Sequence, residues 1–188
     1  EAYAVWGGVP RYWELAAEYR SLHSAVRALV LDPQGVLHDE PHRLLLDDAR
    51  EVAQAGSILA LIGQGCHRIS EIAARIGKPA TSLTRPLMRL MDMGLVVRDM
   101  PFGENPRSAK RTLYRIGDPF LRFWYRCVEP HRSELAARQI EEVEQAIAPM
   151  RAGHTGQVWE ELARESVARL RVGGLRWKPA ARWWGKDS

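Results

Sequence analysis

Apolar residues recur along this chain at helical spacing, in short runs punctuated by glycine and proline. Gly7-Gly8-Val9 reads as a turn, and Pro10 suits the first position of a helix, where a missing N–H costs nothing. Residues 7–31 then read as helical, with Tyr12, Trp13, Leu15, Ala16 and Tyr19 forming an apolar face. Asp32-Pro33-Gln34-Gly35 breaks that pattern, and Pro41 starts another element that leads into a buried Leu44-Leu45-Leu46. A helix is predicted from about Asp48 to Ile62, burying Val52, Ala55, Ile58, Leu59 and Ile62 and stopped by Gly63 and Gly65.

The most patterned stretch follows. Ile69, Ile72, Ala73 and Ile76 step as i, i+3, i+4, i+7, with Ser70 as a cap and Gly77 as a left-handed stop. The next helix, about Ala80 to Met93, buries Leu83, Leu87, Leu90 and Met91, capped by Thr81 or Ser82 and stopped by Gly94. Pro86 fits there only near the first turn; deeper in, it kinks the helix. Leu95 to Pro101 reads as a strand, Phe102 to Arg111 as a polar loop, and Thr112 to Ile116 as the return strand. Asp118 and Pro119 open a further helix, with Phe120, Phe123 and Trp124 inward and Arg122 and Arg126 outward. Ala136, Ile140, Val143, Ile147 and Met150 form an amphipathic stripe, Gly153 to Gly156 interrupts it, and a last helix is predicted over about Thr155 to Leu170. The fold class predicted is mainly α: a winged helix-turn-helix, three helices plus a β-hairpin wing, flanked by additional helices.

Charge sharpens that picture. The chain of 188 residues has a net charge of +4, spread unevenly. Residues 66–126 hold 12 Lys/Arg against 5 Asp/Glu, and the remainder 15 against 18, so the positive excess lies on the helix-turn-helix and wing. Such an excess neutralises phosphates and supplies most non-specific DNA affinity; a solvated basic face without a ligand is the plainer alternative. If the second helix of the pair enters a groove, Thr81, Ser82, Thr84, Arg85 and Arg89 are the DNA-binding candidates. Arg107, Lys110 and Arg111 on the wing would reach phosphates or the minor groove. A protein-docking wing is the other use of such a fold.

Chemistry is harder to find. The only Gly-Lys, Gly185-Lys186, lacks the earlier glycine of a phosphate loop and is followed by Asp187. The six histidines are scattered, and Pro41 between His38 and His42 spoils a helical metal face. No metal site and no Ser/His/Asp set is expected. Cys66 and Cys127 read as buried small hydrophobes, which favours a reducing, cytoplasmic setting. No apolar run approaches the roughly 18 residues of a membrane span, and the first residues lack the pattern of a signal peptide. The chain opens at Glu1 on apolar Ala2-Tyr3-Ala4-Val5-Trp6, the expected look of a piece of a longer protein; a processed or engineered terminus is the alternative.

Four segments carry a family resemblance: Trp6-Gly7-Gly8-Val9-Pro10-Arg11-Tyr12-Trp13, the helix pair over Ile58 to Ile76, Leu90-Met91-Asp92-Met93-Gly94-Leu95-Val96, and Tyr114 through Asp118-Pro119-Phe120-Leu121-Arg122-Phe123-Trp124-Tyr125. They resemble the C-terminal half of archaeal-type ATPases, prokaryotic proteins of the AAA+/STAND-like class. The resemblance implies the end of an ATPase lid over 1–44, a winged helix over 45–117, and the helical start of a restriction-endonuclease-like domain of unknown function over 118–188. It implies ATP and Mg²⁺ as cofactors of the full-length protein, none in this chain, with the protein's own N-terminal ATPase domain and DNA as partners and oligomers open. In the nuclease-like domain, Glu160 takes the place of the acidic residue on the first helix. A lone carboxylate builds no divalent-metal site, so the chain is expected to be nuclease-inactive, and an exposed helix carboxylate is the plainer reading of Glu160. The rival is a free-standing MarR-like regulator, dimerising through the stripe from Ala136 to Met150.

Overall fold

A computed structural model of the chain describes residues 1–45, 49–103, 111–172 and 174–184. It is mainly helical, with two short antiparallel ribbons. Helices α1 (Ala2–Trp6), α2 (Pro10–Ala17), α3 (Leu22–Val26) and α4 (Glu40–Arg43) precede α5 (Ala49–Gly63), α6 (Ile69–Ile76) and α7 (Ala80–Asp92). Strands β1 (Val96–Asp99) and β2 (Leu113–Ile116) follow, pairing Val96 with Ile116 and Asp99 with Leu113. Then come α8 (Pro119–Phe123), α9 (Arg132–Ala136), α10 (Ile140–Val167) and a two-residue hairpin, β3 (Arg171–Val172) with β4 (Leu175–Arg176).

Proline and acidic caps start helices where the sequence places them. Pro10 stands at the start of α2, and Asp118 accepts the Leu121 N–H at 2.9 Å while Pro119 begins α8. Gly77 closes α6 with φ 71°. Other expectations need correction. Residues 7–31 are two helices, because Ser21 is extended and exchanges hydrogen bonds with Ser24, which restarts the chain as α3. On α2 only Tyr12 is fully buried; Trp13 lies exposed and donates its indole N–H to the Gly7 carbonyl. Ser70 does not cap α6: Glu71 reaches back to the backbone N–H groups of His67 and Arg68. Neither Thr81 nor Ser82 is the cap of α7, which starts after Pro79, and the Ser82 hydroxyl donates to the Pro79 carbonyl. Pro86 sits inside α7, past its first turn. Leu45 is buried but Leu44 is exposed, Leu46 lies outside the described residues, and so does the Val52 side chain.

The largest correction concerns the glycine-bearing segment from Gly153 to Gly156. It does not break the chain; α10 runs through it, and through Pro149, as one helix of 28 residues. Its stripe is already used. Ile140, Val143 and Ile147 are buried against the chain's own core, and His154 and Val158 continue the buried side. A helix fixed by packing along one face tolerates two glycines that would end an isolated one.

One apolar core gathers residues from Val5 and Trp6 through Ile58, Leu59, Leu83 and Leu87 to Ile147. Its centre is the segment Phe120–Val128, where α8 widens into a turn in which the Glu129 N–H reaches the Trp124 carbonyl. Phe120, Phe123, Trp124, Cys127 and Val128 are fully enclosed. Tyr12 packs on Phe120 with ring centroids 4.7 Å apart, and the Trp124 indole donates to the His38 carbonyl at 2.8 Å. The His38 ring in turn donates to the Val30 carbonyl. Helix α5 ends against this segment so closely that a Cβ on Gly63 would stand 2.8 Å from the Tyr125 Cβ. Gly7, with φ 60°, meets the Asp118 carboxylate in the same way.

His154 ties α10 to α1. Its Nε2–H donates to the Ala4 carbonyl, while Nδ1 is buried without a partner among the described residues. Burial pushes the imidazole down to about 4, against an upward pull from the Ala4 bond. The folded chain thus declines a proton that the unfolded chain takes up as pH falls through 6.5, so this contribution is whole above pH 6.5 and is lost towards pH 4. Urea midpoints measured over that window should fall with pH, and His154→Gln, whose amide still donates to Ala4, should flatten the decline. An equal slope in both proteins would contradict a buried neutral imidazole.

Candidate nucleic-acid interface and its ionic root

Helix α7 presents a sharply divided surface. Leu83, Leu87 and Leu90 face the core, while Thr81, Ser82, Thr84, Arg85 and Arg89 are all exposed. By helical spacing, Thr81, Arg85, Met88 and Arg89 share the middle of the outward face. Arg75 on α6 and Lys78 in the turn before α7 are exposed beside them. Arg111 is exposed at the foot of the β1–β2 ribbon, and its carbonyl accepts the Trp184 indole N–H at 3.1 Å. Arg107 and Lys110 lie outside the described residues. The structure therefore gathers the five α7 candidates on one helix and places Arg111 on a different element.

The ribbon is rooted in ion pairs rather than in apolar packing alone. Arg115 on β2 reaches Asp99 on β1 at 2.7 Å and Glu161 on α10 at 3.2 Å. Arg122 grips both Glu161 oxygens, at 3.0 and 2.8 Å, and donates twice more to the Ile116 carbonyl. The tail folds back over this cluster. Arg182 forks onto Glu160 at 3.0 and 3.2 Å and stands 4.0 Å from both Asp99 and Glu161. Its carbonyl accepts the Phe102 N–H. Three guanidiniums, those of Arg115, Arg122 and Arg182, thus surround one carboxylate, Glu161, whose side chain is only 11% exposed.

Arg122 is where the sequence reading fails outright. It was expected to face outward, yet it is buried, at 7% exposure. Seven of the nine residues from Phe120 to Val128 are apolar, and Arg122 and Arg126, four apart, share the one remaining side of the helix. Helix α10 covers that side, with Glu161 against Arg122 and Gln157 against Arg126, so the buried arginine is paired. Arg126 is half-exposed and binds the Gln157 amide at 3.0 Å.

Glu160 is not poised as a metal ligand. It accepts the Arg182 fork and lies 3.5 Å from Arg164, and the Arg182 hydrogen bonds hold its carboxyl below the ordinary range. Among the described residues no three His, Cys, Asp or Glu side chains are grouped to hold a metal ion. The residues present do not fit the Mg²⁺ that a nuclease-like site would need. His38 and His42 diverge: His38 is buried on Val30, whereas His42 stands edge-on to Trp124 and meets Arg132. Both cysteines are free and buried, and burial pushes the Cys127 thiol up to about 11, which leaves it unreactive. No helix among the described residues is long and apolar enough to cross a membrane.

Residues 124–188, from within the central buried segment to the end, match the family model DUF234, described as archaea bacterial proteins of unknown function. Over 130 residues the chain is 30% identical to an uncharacterized protein of Methanocaldococcus jannaschii, which covers 68% of this chain and 29% of that relative. The chain therefore spans less than a third of the length of the relative it resembles. No solved structure matches it.

The ionic root makes a direct prediction. Removing one partner of a buried pair costs about 3–5 kcal/mol, and because Arg115 remains beside Glu161, Arg122→Met should lie near the lower end. Urea denaturation should show that loss, and Glu161→Leu in the Arg122→Met background should recover part of it. A neutral Arg122→Met would mean that the pair carries no structural weight.

Proposed function

We propose that this chain is the DNA-binding winged-helix region of a larger archaeal-type ATP-binding protein, without its phosphate-loop domain. In this reading residues 45–117 form the winged helix, 1–44 the end of the ATPase lid, and 118–188 the helical start of the C-terminal domain. The observation that carries it is the outward face of α7, where Thr81, Arg85 and Arg89 stand exposed above a leucine-lined inner face. The element order supports it too: three helices in contact, α5, α6 and α7, followed by an antiparallel ribbon.

Hydroxyls and guanidiniums on such a face suit phosphates and base edges, with Arg85 and Arg89 as the residues able to form paired hydrogen bonds to guanine. The ionic root gives the ribbon a fixed orientation beside α7. ATP and Mg²⁺ belong, in this reading, to parts of the parent protein outside this chain, and coupling would pass through α1 and α2, which pack on α8 and α3 respectively.

The rival regulator loses its simplest dimer surface, because Ile140, Val143 and Ile147 are covered by the chain's own core. A free-standing dimer would need another face.

The test is binding of a short duplex at low salt, followed across a salt series. Arg85→Ala and Arg89→Ala should each weaken binding by about tenfold, near 1.4 kcal/mol, if each side chain makes a strong contact. Each lost phosphate contact should also reduce the salt slope by about 1. Arg11→Ala, on the exposed side of α2, should change neither quantity. Unchanged affinity and slope in the α7 variants would remove this helix from any nucleic-acid surface.

A further inference from the structure

We propose that the cavity between the end of α5, β2, the α8 segment and α10 binds a small phosphate-bearing anion. The cavity holds about 400 Å³, within the range of about 300–1,000 Å³ typical of small-molecule sites. It is separate from the outward face of α7, none of whose residues lines it.

Its chemistry is cationic. Arg115, Arg122, Arg126 and Arg182 line it against a single lining carboxylate, Glu161. Asp99 and Glu160 offset two of these charges from outside the cavity, on Arg115 and Arg182. Arg126 is left with the neutral Gln157 amide, and no carboxylate lies within ion-pair distance of it among the described residues. It is one charge without a counter-charge, half-exposed at the cavity wall.

Hydrogen-bonding capacity sits beside that charge. The His67 Nδ1–H is used on the Tyr114 carbonyl, which leaves Nε2 as an acceptor for a ligand hydroxyl, and the Gln64 and Gln157 amides line the same space. Ile62, Ile116 and Met150 provide an apolar wall for the carbon part of an ester.

Guanidinium groups pair with carboxylate and phosphate alike. Here the donors come from separate walls, β2, the α8 segment and the tail, which suits a tetrahedral multivalent oxyanion better than a planar monoanion. Such a ligand would touch the helix-ribbon unit and α10 together, and so would bridge the two parts that Glu161 already joins.

Calorimetric titration of the full chain at low salt tests the proposal, with inorganic pyrophosphate and ribose 5-phosphate as probes and acetate as the planar control. One-to-one saturable binding is expected for both phosphates, with a Kd below about 1 mM, and binding of acetate at least about tenfold weaker. Arg126→Gln should weaken pyrophosphate by about tenfold or more, the loss of one charge-assisted contact, while its circular dichroism and duplex affinity stay those of the parent. Arg11→Gln should leave pyrophosphate binding intact. Absence of saturable binding, equal binding of acetate, or an unaffected Arg126→Gln would overturn the proposal. So would a loss of duplex affinity in Arg126→Gln equal to that of Arg85→Ala, since the cavity would then be part of the nucleic-acid surface.

Discussion

The burial of Phe120–Val128, where every residue but the half-exposed Arg126 is buried, is the constraint from which the rest of the structure follows. A helical segment that is apolar around more than half of its circumference cannot rest against one neighbour; it needs several. Helix α1 covers it at Gly7 and Asp118, α5 at Gly63 and Tyr125, and Tyr12 of α2 lies on Phe120. The loop around His38 closes it by accepting the Trp124 indole N–H. Each of these contacts comes from a different part of the chain, so the segment joins elements that local sequence would have left independent. Glycine at 63 is required by the same constraint, because the Tyr125 backbone approaches too closely for a side chain, and Gly7 adopts the left-handed φ of 60° beside the Asp118 and Pro119 side chains.

Enclosing that segment also encloses Arg122, and the ionic root is the result. A guanidinium that cannot reach water must find carboxylate and carbonyl oxygens in the interior. Glu161 and the Ile116 carbonyl supply them, and Arg115, Asp99 and Arg182 complete the set. Apolar packing of a two-stranded ribbon leaves its direction loosely set, since a lone hairpin is marginal by itself. Fixed hydrogen-bond geometry between β2 and α10 sets that direction. The exposed face of α7 and the ribbon beside it thereby hold a constant relation to the rest of the molecule.

What was legible in the sequence was local. The leucine stripe of α7, the Gly77 stop, the Asp118-Pro119 start and the paired strands around the polar loop all follow from spacing and capping, which depend on near neighbours. What was not legible depended on distant partners. Gly153 and Gly156 look like a break until α10 is seen to be held along its length by the core. Arg122 looks solvent-facing from the spacing of Phe120, Phe123 and Trp124, and is buried because Glu161 of α10, distant in sequence, lies against it. The α7 side chains were identified from their exposure on an amphipathic helix. The cavity residues were not, because Arg115, Arg126 and Arg182 meet only in three dimensions.

If the buried segment unites the molecule, regions far apart in sequence must open together. Native-state hydrogen exchange under increasing urea measures this directly. The slowest amides of α1, α5 and Phe120–Val128 should converge on one opening free energy, equal to that of global unfolding. Exchange of α5 through β2 at a distinctly lower free energy, while α1 and Phe120–Val128 remain protected, would contradict the account: the helix-ribbon unit would then be an independent module, and the buried segment would not be its foundation.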